Sequence, residues 1–289
     1  MMSAMNVLTQ VVIWLNRGAN AAGRFLLAPI AHMPGWLSIT CLSAILGAVC
    51  LVAFKYTSSQ QAIRRTRDDI AAHLLAVKLF PDSLLVTLRC QARVLWGAFW
   101  LLVLAVVPML VLIVPVSLVL WQMSLWYDAR PLRVGEEAVV TVTLSRDADL
   151  TGPDVQLEPA SAVEVVAGPV RIASKHEVCW NIRAREADCR HLVFQVGTQA
   201  GAPQRATKEL VIGDGFMRTS VERPRWYWTD ILWQPAEEPF RPDSPIEAIR
   251  IDYPPRDSWI SGTKGWLIYC FAVSMGFGFC FRPWLKVDW

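Results

Sequence analysis

The residues best equipped for chemistry in this 289-residue chain are four histidines and seven cysteines, and their spacing gives them little to do together. His32, His73, His176 and His191 fall in separate stretches. His176 and His191 stand near the ends of predicted strands with no third ligand at metal spacing, so they read as surface histidines. Cys41, Cys50, Cys270 and Cys280 lie in apolar runs, where a thiol behaves as a small hydrophobe. Cys179 and Cys189, ten residues apart, bracket a predicted hairpin turn. They pair if the segment is exported and their Cα atoms come within about 7 Å; otherwise they stand as two free, partly buried thiols. The chain has no GxSxG, HExxH or CxxC motif and no phosphate-binding glycine loop. No catalytic residue, cofactor site or metal site is therefore expected, and the protein reads as non-enzymatic.

The elements that position these residues are dominated by residues 94–127, a run without a charged side chain until Asp128. About 20 apolar residues cross a bilayer core as a helix, so this stretch is a span with turns to spare. Its two prolines, Pro108 and Pro115, are seven apart, share a face and should kink it. Trp96 and Trp100 mark one border of the span, and Trp121, Trp126 and Tyr127 the other. Residues 36–54 form a first uncharged span, and residues 265–281 a third, near the lower length limit. In the third, Ser274, Gly276 and Gly278 leave notches that let a neighbouring helix approach closely, most economically the 94–127 span. None of the three carries an acidic or basic residue, which removes the usual marker of an ion or proton pathway.

Residues 1–35 precede the spans. Their apolar part is too short to cross, and Arg17 and Arg24 follow it, the reverse of a secretion signal. An interfacial helix ended by Pro29 and Pro34, or a poorly inserted leader, is expected. Residues 55–93 are basic: Lys55, Arg64, Arg65, Arg67, Lys78, Arg89 and Arg93 face only three aspartates. Ile63, Ile70, Leu74 and Val77 make a narrow apolar seam, and Pro81-Asp82-Ser83 breaks the helix before a second arm. This is a basic helical hairpin. By the positive-inside rule it is cytosolic, with the N-terminus and residues 128–262 outside and the tail 282–289 inside.

From Leu132 the period changes to two. Val140, Val142 and Leu144, then Val178, Trp180 and Ile182, then Leu192, Phe194 and Val196, then Leu210 and Ile212, each line one face of a strand. Gly, Pro and Asp punctuate at 147–154, 167–169, 184–188 and 197–205. Residues 128–213 thus predict an exported all-β immunoglobulin-like sandwich. Residues 214–264 form a Pro/Trp-rich strap in which Trp226, Trp228 and Trp233, like Trp121 and Trp126, are expected at the outer headgroup layer. Ile246, Ile249 and Ile251 suit a last strand or an extended strap. Residues 128–262 hold 16 Lys/Arg against 21 Asp/Glu, which argues against nucleic acid as a partner. The fold class is an α-helical membrane protein with three transmembrane helices, a cytosolic helical hairpin and that β domain. Its partners are the lipid bilayer and other membrane proteins, and its location is the inner (cytoplasmic) membrane of a bacterium, with the β domain periplasmic.

The order of these parts resembles the reduced three-span core of the Oxa/YidC/Alb insertase superfamily, including archaeal YidC-like proteins and the insertase-like subunit of the endoplasmic-reticulum membrane complex. The segments that carry it are KYTSSQQAIRRTRDDI after the first span and RCQARVLWGAFW leading into the second. The chain is also similar to uncharacterised bacterial membrane proteins with a LFPDSL-type helix break and a VPMLVLIVP-type second span. The insertase resemblance implies a cytosol-open groove with Arg89, Gln91 and Arg93 at its mouth. It also implies an arm, Arg64, Arg65 and Arg67, that meets a ribosome or client. The departures are spans without charge and the insertion of residues 128–264 where that superfamily has a short loop. The leading expectation is an accessory or scaffolding subunit of a larger membrane assembly; an insertase or chaperone is the alternative.

Overall fold

The computed structural model describes residues 2–27, 29, 33–79, 84–145, 155–187, 189–197, 204–256 and 265–285. In chain order the elements are α1 (Met2–Leu26), α2 (Gly35–Thr57), α3 (Gln60–Leu79), α4 (Leu84–Tyr127), β1 (Glu137–Leu144), β2 (Val155–Leu157), β3 (Val163–Ile172), β4 (Glu177–Ala184), β5 (Cys189–Val196), β6 (Gln204–Val211), β7 (Glu222–Arg223), α5 (Trp228–Trp233), β8 (Ile246–Ile251) and α6 (Gly265–Leu285). Three helical stretches are long and apolar enough to cross a membrane: Gly35–Thr57, Thr87–Tyr127 and Gly265–Trp284. The chain divides into two compact units, Met1–Ser38 with Leu118–Leu267, and Ile39–Ser117 with Ile268–Trp289.

The first unit contains the β structure. One antiparallel sheet has the order β3-β4-β1-β8-β7 and a second the order β2-β5-β6. The alternation read from the sequence is realised: β1 and β4 bury every second residue. Val140, Val142, Trp180 and Ile182 from the larger sheet share one buried core with Leu192, Phe194 and Leu210 from the smaller. Trp180 and Phe194 meet with ring centroids 5.6 Å apart. The two sheets therefore pack face to face, and apolar burial drives the association.

Three details depart from expectation. Cys179 and Cys189 do not bracket a hairpin, because β4 and β5 belong to different sheets. Cys179 is a free thiol opposite Thr141, and the Cys189 side chain lies outside the described residues. The Gly168-Pro169 punctuation does not end a strand either. It sits inside β3, where the register against β4 shifts twice between Val165 and Val170. Gly168 has φ +122, and a Cβ there would lie 2.9 Å from the Cys179 carbonyl oxygen, so only glycine fits this bulge. Finally, β8 from the strap is a central strand, paired with β1 on one side and β7 on the other. The turns at 147–154 and 198–203 lie outside the described residues.

Also in this unit, α1 is one 25-residue helix over the segment read as an interfacial helix or poorly inserted leader. Its Val12 and Ile13 pack on Ile231 of α5, with Trp226, Trp228 and Leu232 around them.

The second unit is helical. Within it α3 packs back on the first part of α4, with Ile63 of the predicted seam buried. Gly97 makes the approach possible: a Cβ there would lie 2.7 Å from Cγ1 of Ile70. The Pro81-Asp82-Ser83 break and the tail beyond Leu285 lie outside the described residues. The predicted hairpin arm and second span are one 44-residue helix, α4, continuous through Pro108 and Pro115.

Candidate functional site

The apolar helices end in an aromatic junction built inside the first unit. Tyr127, the last residue of α4, is fully buried, and its hydroxyl is 2.8 Å from Oγ of Ser38 in α2. Its ring stacks on Trp266 of α6 at 6.0 Å, and Nε1 of Trp266 donates to Oδ1 of Asp128 at 2.5 Å. Phe216 lies 5.9 Å from the Trp126 ring and 5.2 Å from Tyr127. The Arg256 guanidinium stands over Phe216 at 4.3 Å and donates to the carbonyl oxygens of Trp126 and Met217 at 2.7 and 3.1 Å. Burial pushes Arg256 down to about 10 and pushes the Asp128 carboxyl above its usual range. Donors and acceptors are matched here, and the junction ties the ends of α2, α4 and α6 together. Trp126, expected at the headgroup layer, is buried here against Phe216.

A second feature is a polar cleft of about 440 Å³ between α1 and the β6–α5 region. Asn16 and Asn20 of α1 donate to the carbonyl oxygens of Ile231 and Pro235, each at 2.6 Å, and Arg17 pairs with Glu238 at 2.9 Å. Behind them Lys208 of β6 is fully buried. It donates to Ser220 O at 2.6 Å and Ser220 Oγ at 2.9 Å, and it pairs with Glu237. Burial pushes its ammonium below the usual lysine range, and Glu237 pulls part of the way back. Arg223 of β7 lies over Phe240 at 4.2 Å and donates to Thr207 O at 2.6 Å, closing the free edge of β6. Of the tryptophans expected at the headgroup layer, Trp226 and Trp228 pack around α1 and α5, while Trp233 is 65% exposed and meets Trp121 edge-on at 5.6 Å.

In the second unit, α2 and α6 approach closely at Gly47. A Cβ there would fall 2.4 Å from the Ser274 carbonyl oxygen, and Oγ of Ser274 donates to Ser43 O at 2.9 Å. Thr40 and Tyr269 join the same pair at 2.7 Å. The neighbour of Ser274 is therefore α2 and not the 94–127 span. The notch that permits it lies on α2. At Gly276 and Gly278 nothing stands within 4 Å of an added Cβ. Arg64, Arg65, Arg67, Arg89, Gln91 and Arg93 are all exposed on α3 and α4. Arg93 donates to Nε2 of His73 at 3.3 Å. Along α4, Leu102, Val106, Met109, Leu110 and Ile113 are exposed, and only 6% of its apolar window is buried.

Gly47, Gly97, Phe216, Arg256 and Lys208 were not singled out from the sequence. Glycines inside otherwise bulky apolar helices were the available signal for the first two; the others depend on long-range folding. The chain matches no protein-family profile, no curated protein and no solved structure.

Proposed function

We propose that this protein is a non-enzymatic accessory subunit of a larger assembly in a bacterial inner membrane, binding partners through its spans and its β domain. In this reading the β domain is an immunoglobulin-like sandwich on the periplasmic side, and the α3–α4 hairpin is cytosolic. The observation that carries the proposal is the state of α4. Its uncharged stretch of 34 residues, 94–127, is about 51 Å long against the roughly 30 Å of a bilayer core, and within an 18-residue apolar part of the helix only 6% is buried by the chain itself. Lipid satisfies the part within the core. The excess apolar length, bordered by exposed Leu95, Trp96 and Phe99, calls for protein. The matched hydrogen bonds of the junction and the absence of charge inside the spans suit a structural role.

Photo-crosslinking residues placed at Leu88, Leu95, Phe99 and Leu102, exposed positions on one face at the excess end of α4, test this. A discrete protein adduct common to neighbouring positions supports the subunit reading; adducts to lipid alone at all four overturn it. The insertase-like reading keeps one favourable observation, the exposed arginines of α3, and it requires clients that vary with what the cell is synthesising.

A further inference from the structure

The strongest unassigned feature is the cleft beside α1, and its chemistry is that of a headgroup carrying both signs of charge. Three guanidinium groups line it, from Arg17, Arg24 and Arg223, against three carboxylates, from Glu209, Glu237 and Glu238. A simple anion would meet the carboxylates and a simple cation the arginines. A zwitterion satisfies both. Two groups are left waiting. Asn16 is 5% exposed and lines the cleft, and its Oδ1 has no hydrogen-bond partner, a costly state for a buried acceptor. Arg24 has no ion-pair partner among the described residues. An unfilled acceptor asks for an N–H donor, and an unpaired guanidinium asks for an anion such as phosphate.

The opposite face of α1 says where such a ligand comes from. Val11, Trp14, Leu15, Gly18 and Ala22 form an open apolar depression with Leu118 of α4. At 100° per residue these positions lie about half a turn from Asn16, Asn20 and Arg24. Val7, Leu8 and Phe25 add exposed apolar surface to the helix. One side of α1 thus suits acyl chains and the other suits a headgroup, the arrangement of a helix lying in a membrane interface.

We propose that this cleft binds the headgroup of phosphatidylethanolamine. The primary ammonium donates to Oδ1 of Asn16 beside Glu209 and Glu238, the phosphate sits on Arg17 and Arg24, and the acyl chains run along the apolar side of α1. Choline is excluded from the same position because its quaternary nitrogen has no N–H to give. The inference rests on the reading of the three apolar helices as membrane spans.

The test is native mass spectrometry of the full chain in mild detergent, stripped of lipid and titrated with phosphatidylethanolamine, phosphatidylcholine and phosphatidylglycerol. One phosphatidylethanolamine per chain is expected, favoured about ten-fold over the other two, the size of one charge-assisted hydrogen bond. Arg24→Glu, an exposed change that removes no described contact, should lower that affinity about ten-fold or more, while Lys175→Glu, on a remote exposed turn, should not alter it. Soluble glycerophosphoethanolamine should bind far more weakly than the lipid, since it lacks the chains. Equal binding of phosphatidylcholine, preference for phosphatidylglycerol, an unchanged Arg24→Glu variant, or equally tight binding of the soluble headgroup would each overturn the proposal. Extraction of cell membranes with alkaline carbonate reads the membrane assignment separately: a chain released by carbonate fails that assignment, whatever the lipid titration gives.

Discussion

Lys208 offers the sharpest test of how the β domain is held together. Its side chain is wholly buried, its ammonium is held by Ser220 and Glu237, and Glu237 is itself only 13% exposed. Lys208→Met keeps the volume and apolar stem but leaves the Glu237 carboxylate beside an apolar terminus. Breaking one side of a buried pair costs about 3–5 kcal/mol, because the remaining charge is uncompensated. For a unit of this size each kcal/mol lowers the thermal midpoint by about 2–4 °C, so a drop of about 10 °C is expected. The double variant Lys208→Met/Glu237→Leu removes both charges. It should recover at least half of the loss, the remainder reflecting the Glu209 N–H that Glu237 accepts at 3.1 Å. Scanning calorimetry of the full chain in lipid nanodiscs, at one scan rate, supplies the midpoints. A Lys208→Met variant melting with the wild type, or a double variant no better than the single, would refute the reasoning.

Three further expectations follow from the same geometry. Glu136 accepts two hydrogen bonds from Arg130 at 2.7 and 2.9 Å, which hold its carboxyl at about 2 against an ordinary 4.5. Because the folded value is the lower one, this contribution is present above pH 4.5 and fades as the pH falls toward 2. With the side chain about a third exposed, screening reduces it to about 1 kcal/mol. Glu136→Gln should therefore melt a few degrees lower at pH 6 and converge with the wild type near pH 2. Gly47→Leu forces α2 and α6 apart at a contact with about 1 Å too little room for even a methyl group, and should cost about 1–3 kcal/mol or more. The fraction of protein remaining monodisperse after heating reports it, and Gly276→Ala, which meets open space, should leave that midpoint unchanged. Reversing the charges of Arg64, Arg65 and Arg67 together should leave the set of co-purifying proteins unchanged; loss of membrane-protein insertion in that variant would favour the insertase-like reading.

Much of the architecture is written in local pattern. The uncharged runs declare the three apolar helices because burying charge in hydrocarbon is costly, and the period-two stretches declare β1, β4, β5 and β6 because each has one wet and one dry face. β3 escaped because it is an edge strand: Val165, Val166 and Val170 are all exposed, so no alternation marks it, and its Gly-Pro bulge imitates a turn. The strand character of β8 is legible from Ile246, Ile249 and Ile251, but its place between β1 and β7 is not, since its neighbour on one side lies about a hundred residues earlier in the chain. The cleft was invisible for the same reason. Asn16 and Arg24 belong to one helix and Glu237 to a strap more than two hundred residues on, and nothing local to either announces the other. The arginines of the hairpin were visible as charge, and they lie exposed on α3 and α4.

The subunit reading is tested most directly by a mild-detergent purification of the tagged chain with mass spectrometry of everything retained. A fixed, near-stoichiometric set of membrane proteins that recurs in every preparation is expected. A chain that purifies alone, or with ribosomes and a changing population of nascent membrane proteins, would contradict it.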